Sequence, residues 1–281
     1  MSFGRHKARM RLGVLATALS LSFGATGGPY DPVPMNAADT TARDIAATLF
    51  KAKPGEPVDY SNHKLMYLDL SGLDFKGAKL ANSDLFAVDL TGANLRGTDL
   101  SHTRLDRTVL IHADLAGANL SGATILRPTI YTDLEENLAD APSFAGANLK
   151  GIRVMAKMSG ADFHGADLSG ADLSPLEARP GQGTLSTLAK NVFKSCDFSR
   201  AIMRGVNLER SLLTFSHFNG ADLRDANLSG ADLSRADFTG ADLSGANLAG
   251  ADLDGANLLA VKGLDTVKGL STALNFDKTI R

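Results

Sequence analysis

The sequence predicts an all-β solenoid that advances five residues at a time, on three observations. Large apolar residues recur at every fifth position: Leu65, Leu70, Phe75, Leu80 and onward to Ile125, then Phe144 to Leu173, then Phe193 to Leu258. The residue two before each is usually small, as in Ala93-Asn94-Leu95 and Ala118-Asn119-Leu120. The two residues after each are mostly small or polar, which suits a turn.

Neither regular element accepts this step. On a helix, at about 100° per residue, successive centres would rotate by ~140° and scatter around the cylinder. In one flat strand an odd step sends successive centres to opposite faces. A short extended piece followed by a turn, repeated, avoids both problems, because the centre and the residue two before it then share a side. Leu fills the interior, and Ala leaves room where the walls crowd it. The 28 Gly, the absence of Trp and the 6% aromatic content agree with a core of small and aliphatic side chains. Hydrophobic residues at 44% and charged residues at 21% are ordinary for a soluble protein. A net charge of −2 creates no global field for nucleic acid or an anionic membrane.

Taken in order, residues 1–27 read as a signal peptide. Arg5, His6, Lys7, Arg9 and Arg11 precede an apolar stretch from Leu12 to Phe23, and Ala25-Thr26-Gly27 offers small residues for cleavage. The stretch is too short to span a bilayer and fits a secretory core. The expectation is a periplasmic or secreted protein with no membrane span after cleavage. The alternatives are a cytoplasmic protein, an uncleaved membrane anchor or an organellar transit peptide.

Residues 28–62 read as a linker and an N-terminal cap, since an uncovered end coil exposes strand edges. Pro29, Pro32 and Pro34 mark an extended linker. A helix is expected over 39–52, with Asp39 as N-cap, Ile45, Leu49 and Phe50 on one face, and Pro54-Gly55 as the stop. The repeat ladder is assigned to 63–260, with one residue deleted between Val154 and Met158. Residues 126–142 and 174–190 break the step as insertions. Beyond 260, Val261, Leu264, Val267, Leu270 and Leu274 stay apolar without it. Residues 261–281 are therefore expected to form a C-terminal cap or a homodimer contact.

From Ala221-Asp222-Leu223 to Ala256-Asn257-Leu258 the residues match the A(D/N)LXX signature, so the chain resembles the pentapeptide-repeat family over roughly 63–260. The resemblance implies a right-handed quadrilateral β-helix, a pentapeptide-repeat solenoid with a short N-terminal capping helix, in which residues four repeats apart stack. Phe198, Phe218 and Phe238 would then form an interior column. The two insertions would leave adjacent corners and flank one face, and loops on a rigid scaffold are frequent binding sites. Arg127, Tyr131, Glu135 and Glu136 in the first insertion, and Glu177 and Arg179 in the second, are the candidate ligand-binding residues. The plainer alternative is two tolerated surface insertions.

Catalytic chemistry finds little support. Asp and Asn alternate in the slot before the centre, as in Asp222, Asn227 and Asp232, whereas acid catalysis would distinguish them. The single cysteine, Cys196, excludes an internal disulfide framework and a multi-Cys metal site, and it falls in a small inward slot above Ser216 and Ala236. The histidines do not gather: His63 points inward, and His102, His112 and His164 point outward. His217 lies between Asp197 and Asp237, as a surface ion pair or a weak cation site. Gly181-Gln182-Gly183 lacks the strand-to-helix setting of a phosphate loop.

The expected function is a non-catalytic exported binding or scaffold protein, with a protein partner, no direct nucleic-acid binding, no metal and no cofactor. One alternative follows from the resemblance, because the family's quinolone-resistance proteins imitate DNA with an acidic rod and inhibit DNA gyrase. Here Asp predominates over Arg224 and Arg235 across 219–260. The other alternative is an enzyme housed between the insertions.

Overall fold

The computed structural model describes residues 38–53, 55–132, 136–175 and 190–281. The 1–27 segment and the 29–34 linker lie outside the described residues.

Parallel backbone bridges join Asp59 to Lys79, Lys64 to Asp84, Asp69 to Asp89 and Asp74 to Asn94, so each coil has four sides and a period of 20 residues. The sides are named here for these first residues. Each centre donates its N–H to the next coil, as Leu80 does to the Asp99 carbonyl at 2.7 Å. At each corner the centre's carbonyl accepts from the amide three residues on, as in Ala93 to Leu90 at 3.0 Å. Left-handed backbone turns these corners, which explains their glycines. Tyr67 (φ 61°) and Arg107 (φ 59°) nevertheless adopt it, at a cost of roughly 1–2 kcal/mol each relative to Gly.

The large centres are buried along the ladder to Leu258, and the slots behind them are buried from Ala78 to Ala256 except at Pro128, whereas Val58, His63, Leu68 and Leu73 in the first coil are only half-buried. Phe144, Phe163, Phe198, Phe218 and Phe238 stack nearly parallel, with successive ring centroids 5.0, 4.9, 5.1 and 4.8 Å apart. Each such contact adds about 0.5–1.5 kcal/mol beyond area burial. Bridges from Ser143 to Asp162, Asn148 to Asp167 and Arg153 to Asp172 register the one-residue deletion as a 19-residue coil. There the bridges lengthen into two parallel strands, β1 (Thr124–Leu126) and β2 (Arg153–Met155).

The ladder extends past the 63–260 span at both ends. It starts at Asp59, with Tyr60 as first centre; Val58 in the small slot disguises that repeat. At the other end Lys262, Lys268, Leu274 and Ile280 bridge the preceding coil, so 261–281 is one more coil with six-residue sides. Short 3-10 turns at Leu264–Thr266, Leu270–Thr272 and Phe276–Lys278 absorb the extra residues. Val261, Val267, Leu270, Ala273 and Phe276 pack on the core, while Leu259, Leu274 and Ile280 stay exposed.

Helix α1 (Ala42–Lys51) covers the N-terminal end with Ile45 and Leu49. Its N-cap is Thr41, whose hydroxyl accepts the Asp44 amide at 3.2 Å. Asp39 does not cap the helix; its carboxylate accepts the Lys64 amide at 2.7 Å and its own N–H donates to the Lys64 carbonyl at 2.8 Å, which ties the chain to the first coil. Phe50 is 85% exposed and does not join the buried face, because it sits ~100° round the helix from Leu49. The Lys76 ammonium meets the Phe50 and Ala52 carbonyls at the negative end of the helix dipole.

Candidate ligand-binding surface

Both insertions border the Asp69 side. This side carries Asp69, Asp89, Val109 and Thr129, then Lys157, Val192, Leu212, Asp232 and Asp252. Thr129 still bridges Val109, and Ile130 is buried as a regular centre. The first excursion therefore begins at Tyr131, not at 126, and ends before Ser143, which bridges Asp114. The second leaves after Asp172, which bridges Asn207, and ends before Val192, which bridges Leu212. In chain order, the first departs from the corner that ends the Asp69 side and the second from the corner that begins it.

Buried polar contacts pin the first excursion. The carboxylate of Asp140, whose residue is only 4% exposed, accepts from the Thr132 amide (2.9 Å), the Thr132 hydroxyl (2.7 Å) and the Asn137 side-chain amide (3.1 Å). His112 approaches the same carboxylate at 3.4 Å. The Thr132 amide and hydroxyl, with a smaller pull from His112, hold the Asp140 carboxyl below the usual carboxylate range despite its desolvation.

The Tyr131 hydroxyl donates to the Ser159 carbonyl at 3.0 Å, and the Ser159 hydroxyl donates to Glu136 at 3.2 Å. Burial raises the Tyr131 pKa, and the charge of Glu136 adds to the rise. Leu138 lies directly on Gly160, whose φ is 80°; a methyl group there would come within 2.8 Å of the Leu138 Cβ. Only glycine suits both the backbone and the contact.

The second excursion is held at its ends. Asn191, fully buried in a slot that elsewhere takes small residues, accepts the Ala156 amide at 2.6 Å and donates to the carbonyls of Val154 (3.1 Å) and Leu173 (2.5 Å). It thus satisfies backbone groups that the one-residue deletion and the departing loop leave without ladder partners. The Arg153 guanidinium binds the Asp172, Ser174 and Pro175 carbonyls.

Of the candidate site residues, Tyr131 and Glu136 converge on Ser159. Arg127 stands at the opposite corner of the Asp69 side, exposed and left-handed at φ 55°. Glu135, Glu177 and Arg179 lie outside the described residues. Asp140 belongs to the first insertion in the sequence without being a candidate ligand-binding residue, and the sequence does not single out Ser159, Asn191 or Arg153. Asn191 alone left a signal there, as an amide in a slot meant for a small side chain.

The other titratable groups serve the scaffold. Each Asp before a centre folds back on its own corner, as Asp69 accepting the Ser71 amide and Asp232 accepting the Ser234 amide do, both at 3.1 Å. Asn does the same and also ladders between coils: Asn227 donates to Asn207 at 3.1 Å and Asn247 to Asn227 at 3.3 Å. Asp222, in the acidic stretch, is held well below the usual carboxylate range by Arg224 and then Arg204. His217 bridges Asp197 and Asp237 through its backbone. Cys196 is fully buried, its thiol donates to the Met158 carbonyl at 3.1 Å, and burial pushes its pKa up. Among the described residues no group of three or more His, Cys, Asp or Glu could hold a metal ion, and no helix is long and apolar enough to cross a membrane.

Comparison with known proteins places this geometry. The family described as pentapeptide repeats matches in eight copies, over residues 69–107, 89–125, 156–174, 192–230 and 221–258. No curated protein matches the sequence. Among solved structures, similarity is found to HetL, a pentapeptide repeat protein involved in heterocyst differentiation regulation from the cyanobacterium Nostoc sp. strain PCC 7120. It is 25% identical, with 86% of this chain and 94% of that chain covered and a TM-score of 0.36. Trypsin-treated QnrB1, a plasmid-mediated fluoroquinolone resistance protein, is 22% identical, with 76% and 94% covered and a TM-score of 0.37. A pentapeptide repeat protein from the Arabidopsis thaliana thylakoid lumen is 25% identical, with 47% and 73% covered and a TM-score of 0.20.

Proposed function

The chain belongs to the pentapeptide repeat family, whose members fold as right-handed quadrilateral β-helices, and on that premise we propose that it is an exported, non-catalytic binding or scaffold protein whose partner is another protein. One observation carries the reading. The rod departs from its repeat at two excursions that border the same side, and hydrogen bonds of Asp140, Tyr131 and the buried Asn191 fix where they leave and return. A regular ladder needs no such excursions. Loops fixed on a rigid scaffold are where recognition surfaces are commonly built. Arg127, Tyr131 and Glu136 contribute to this surface, and Glu135, Glu177 and Arg179 are proposed with them. The basic and then apolar N-terminal sequence supports export.

A photo-crosslinker at Thr129, on the Asp69 side, should capture a protein that one at Asn119, on the Asp59 side, does not. Equal capture from both would defeat the reading. Recovery of a shortened chain outside the cytoplasm supports export, whereas an uncleaved cytoplasmic dimer that inhibits DNA supercoiling would favour the acidic DNA-mimic reading instead. Exposed Leu259, Leu274 and Ile280 at the final coil support a contact with a second copy of the chain.

A further inference from the structure

We infer that the surface between the two excursions is a short cationic window that recognises an acidic polypeptide segment, a conclusion that rests on the binding role proposed above. The pattern of charge along the Asp69 side carries it. The side is acidic at both ends, with Asp69 and Asp89 near the N-terminal coils and Asp232 and Asp252 near the C-terminal ones. Between them the bridge positions are Val109, Thr129, Lys157, Val192 and Leu212, with no acid among them. The exposed acid that the described part of the first excursion adds, Glu136, is engaged by the Ser159 hydroxyl at 3.2 Å.

Arg107 and Arg127 stand on successive coils at the corner that begins this side, with the Arg107 amide donating to the Leu126 carbonyl at 2.9 Å. Lys190 and Lys194 flank Val192 in the sequence of the next regular coil. Among the described residues none of Arg107, Arg127, Lys157, Lys190 and Lys194 forms an ion pair. The Asp residues on other sides, by contrast, recruit Arg96, Arg104, Lys150, Arg204 and Arg224.

The acidic ends define the partner. Coils rise by about 4.8 Å, so the cationic stretch is roughly 15–20 Å long before Asp is met again in either direction. A long uniform polyanion such as duplex DNA laid along the rod would meet repulsion at both ends. A segment of several acidic residues crossing the side would place its charge on the cations alone.

The test uses fluorescence polarisation of the full chain with a labelled ten-residue Glu/Asp-rich peptide, a neutral peptide of equal length and a 30-base-pair DNA duplex. The acidic peptide should bind best, and its affinity should fall with added salt. Arg127→Glu with Lys157→Glu should weaken it about tenfold. Arg43→Glu with Arg200→Glu, which makes the same change in net charge elsewhere, should alter it less than about twofold. Thermal unfolding of both double variants should match that of the parent. Equal loss in both double variants, no preference for the acidic peptide, or tighter binding of the duplex would each overturn the inference. If the Thr129 crosslinker captures a protein while the acidic peptide shows no preference, the acidic-partner inference falls and the binding role stands. If the peptide result holds but Thr129 and Asn119 capture equally, the binding role falls instead.

Discussion

The ring of Phe163 lies 4.9 Å from that of Phe198 and nearly parallel to it, although the second excursion separates them in sequence. The core therefore stacks as if the intervening residues were absent. Deleting residues 176–189 and closing the gap with a short Gly-Ser link should leave the denaturation midpoint almost unchanged. Phe198→Ala should cost about 3–5 kcal/mol. Chemical denaturation of the two variants checks both; a deletion as damaging as the cavity would mean that the excursion supports the core.

Asn191 gives a sharper test of how the coil repairs itself. Asn191→Ala leaves the Ala156 amide without an acceptor, while the Val154 carbonyl keeps the Arg153 guanidinium and the Leu173 carbonyl keeps the Ser211 hydroxyl. An unsatisfied buried group costs about 1–3 kcal/mol, so a loss of about 2 kcal/mol is expected. Asn191→Asp, which keeps the shape but loses the donors, should be at least as harmful. Equilibrium unfolding measures both.

The sequence conveys the repeat because every centre faces the same steric demand, so Leu, Phe, Ile and Met recur without reference to distant residues. That periodicity fails where the demand changes. Ile130 was hidden because Pro128 replaces the usual Ala and an irregular segment follows. The final coil was hidden because its six-residue sides still bridge at Lys262, Lys268, Leu274 and Ile280 but break the five-residue count. The candidate surface was legible only in part. Tyr131 and Glu136 stood out as unusual residues in an insertion, but their meeting at Ser159 depends on how the excursion crosses a coil that follows it in the chain. Asp140 is an ordinary polar residue in sequence and only its burial marks it, whereas Asn191 shows there as an amide in a slot meant for a small side chain.

Thr98 offers a chance to stabilise the rod. Its hydroxyl is buried in an inward slot and has no hydrogen-bond partner, whereas Ser83, Thr103 and Thr108 in equivalent slots reach backbone carbonyls. Thr98→Val keeps the branched shape and removes the unsatisfied oxygen, so stability should rise by about 1 kcal/mol. Thr103→Val, by contrast, should lower it or leave it unchanged. The shift in denaturant midpoint decides between them.

Asp140 makes the anchoring of the first excursion depend on pH. Its carboxyl is held below its ordinary value when folded, so the folded state prefers the charged form. The resulting stabilisation is fully present above the unfolded carboxylate range, about pH 4, and is lost as pH falls through the lower folded value. The amide of Thr132, which donates to this carboxylate, should lose hydrogen-exchange protection across that window. Amides inside the ladder, such as Leu223, which donates to the Asp242 carbonyl, should keep theirs after correction for intrinsic exchange. Asp140→Asn should abolish the pH dependence at Thr132 and leave the amide less protected at neutral pH, because a neutral side chain accepts more weakly. If Thr132 protection followed the same pH curve in the parent and in Asp140→Asn, some other group would be responsible for holding the excursion to the rod.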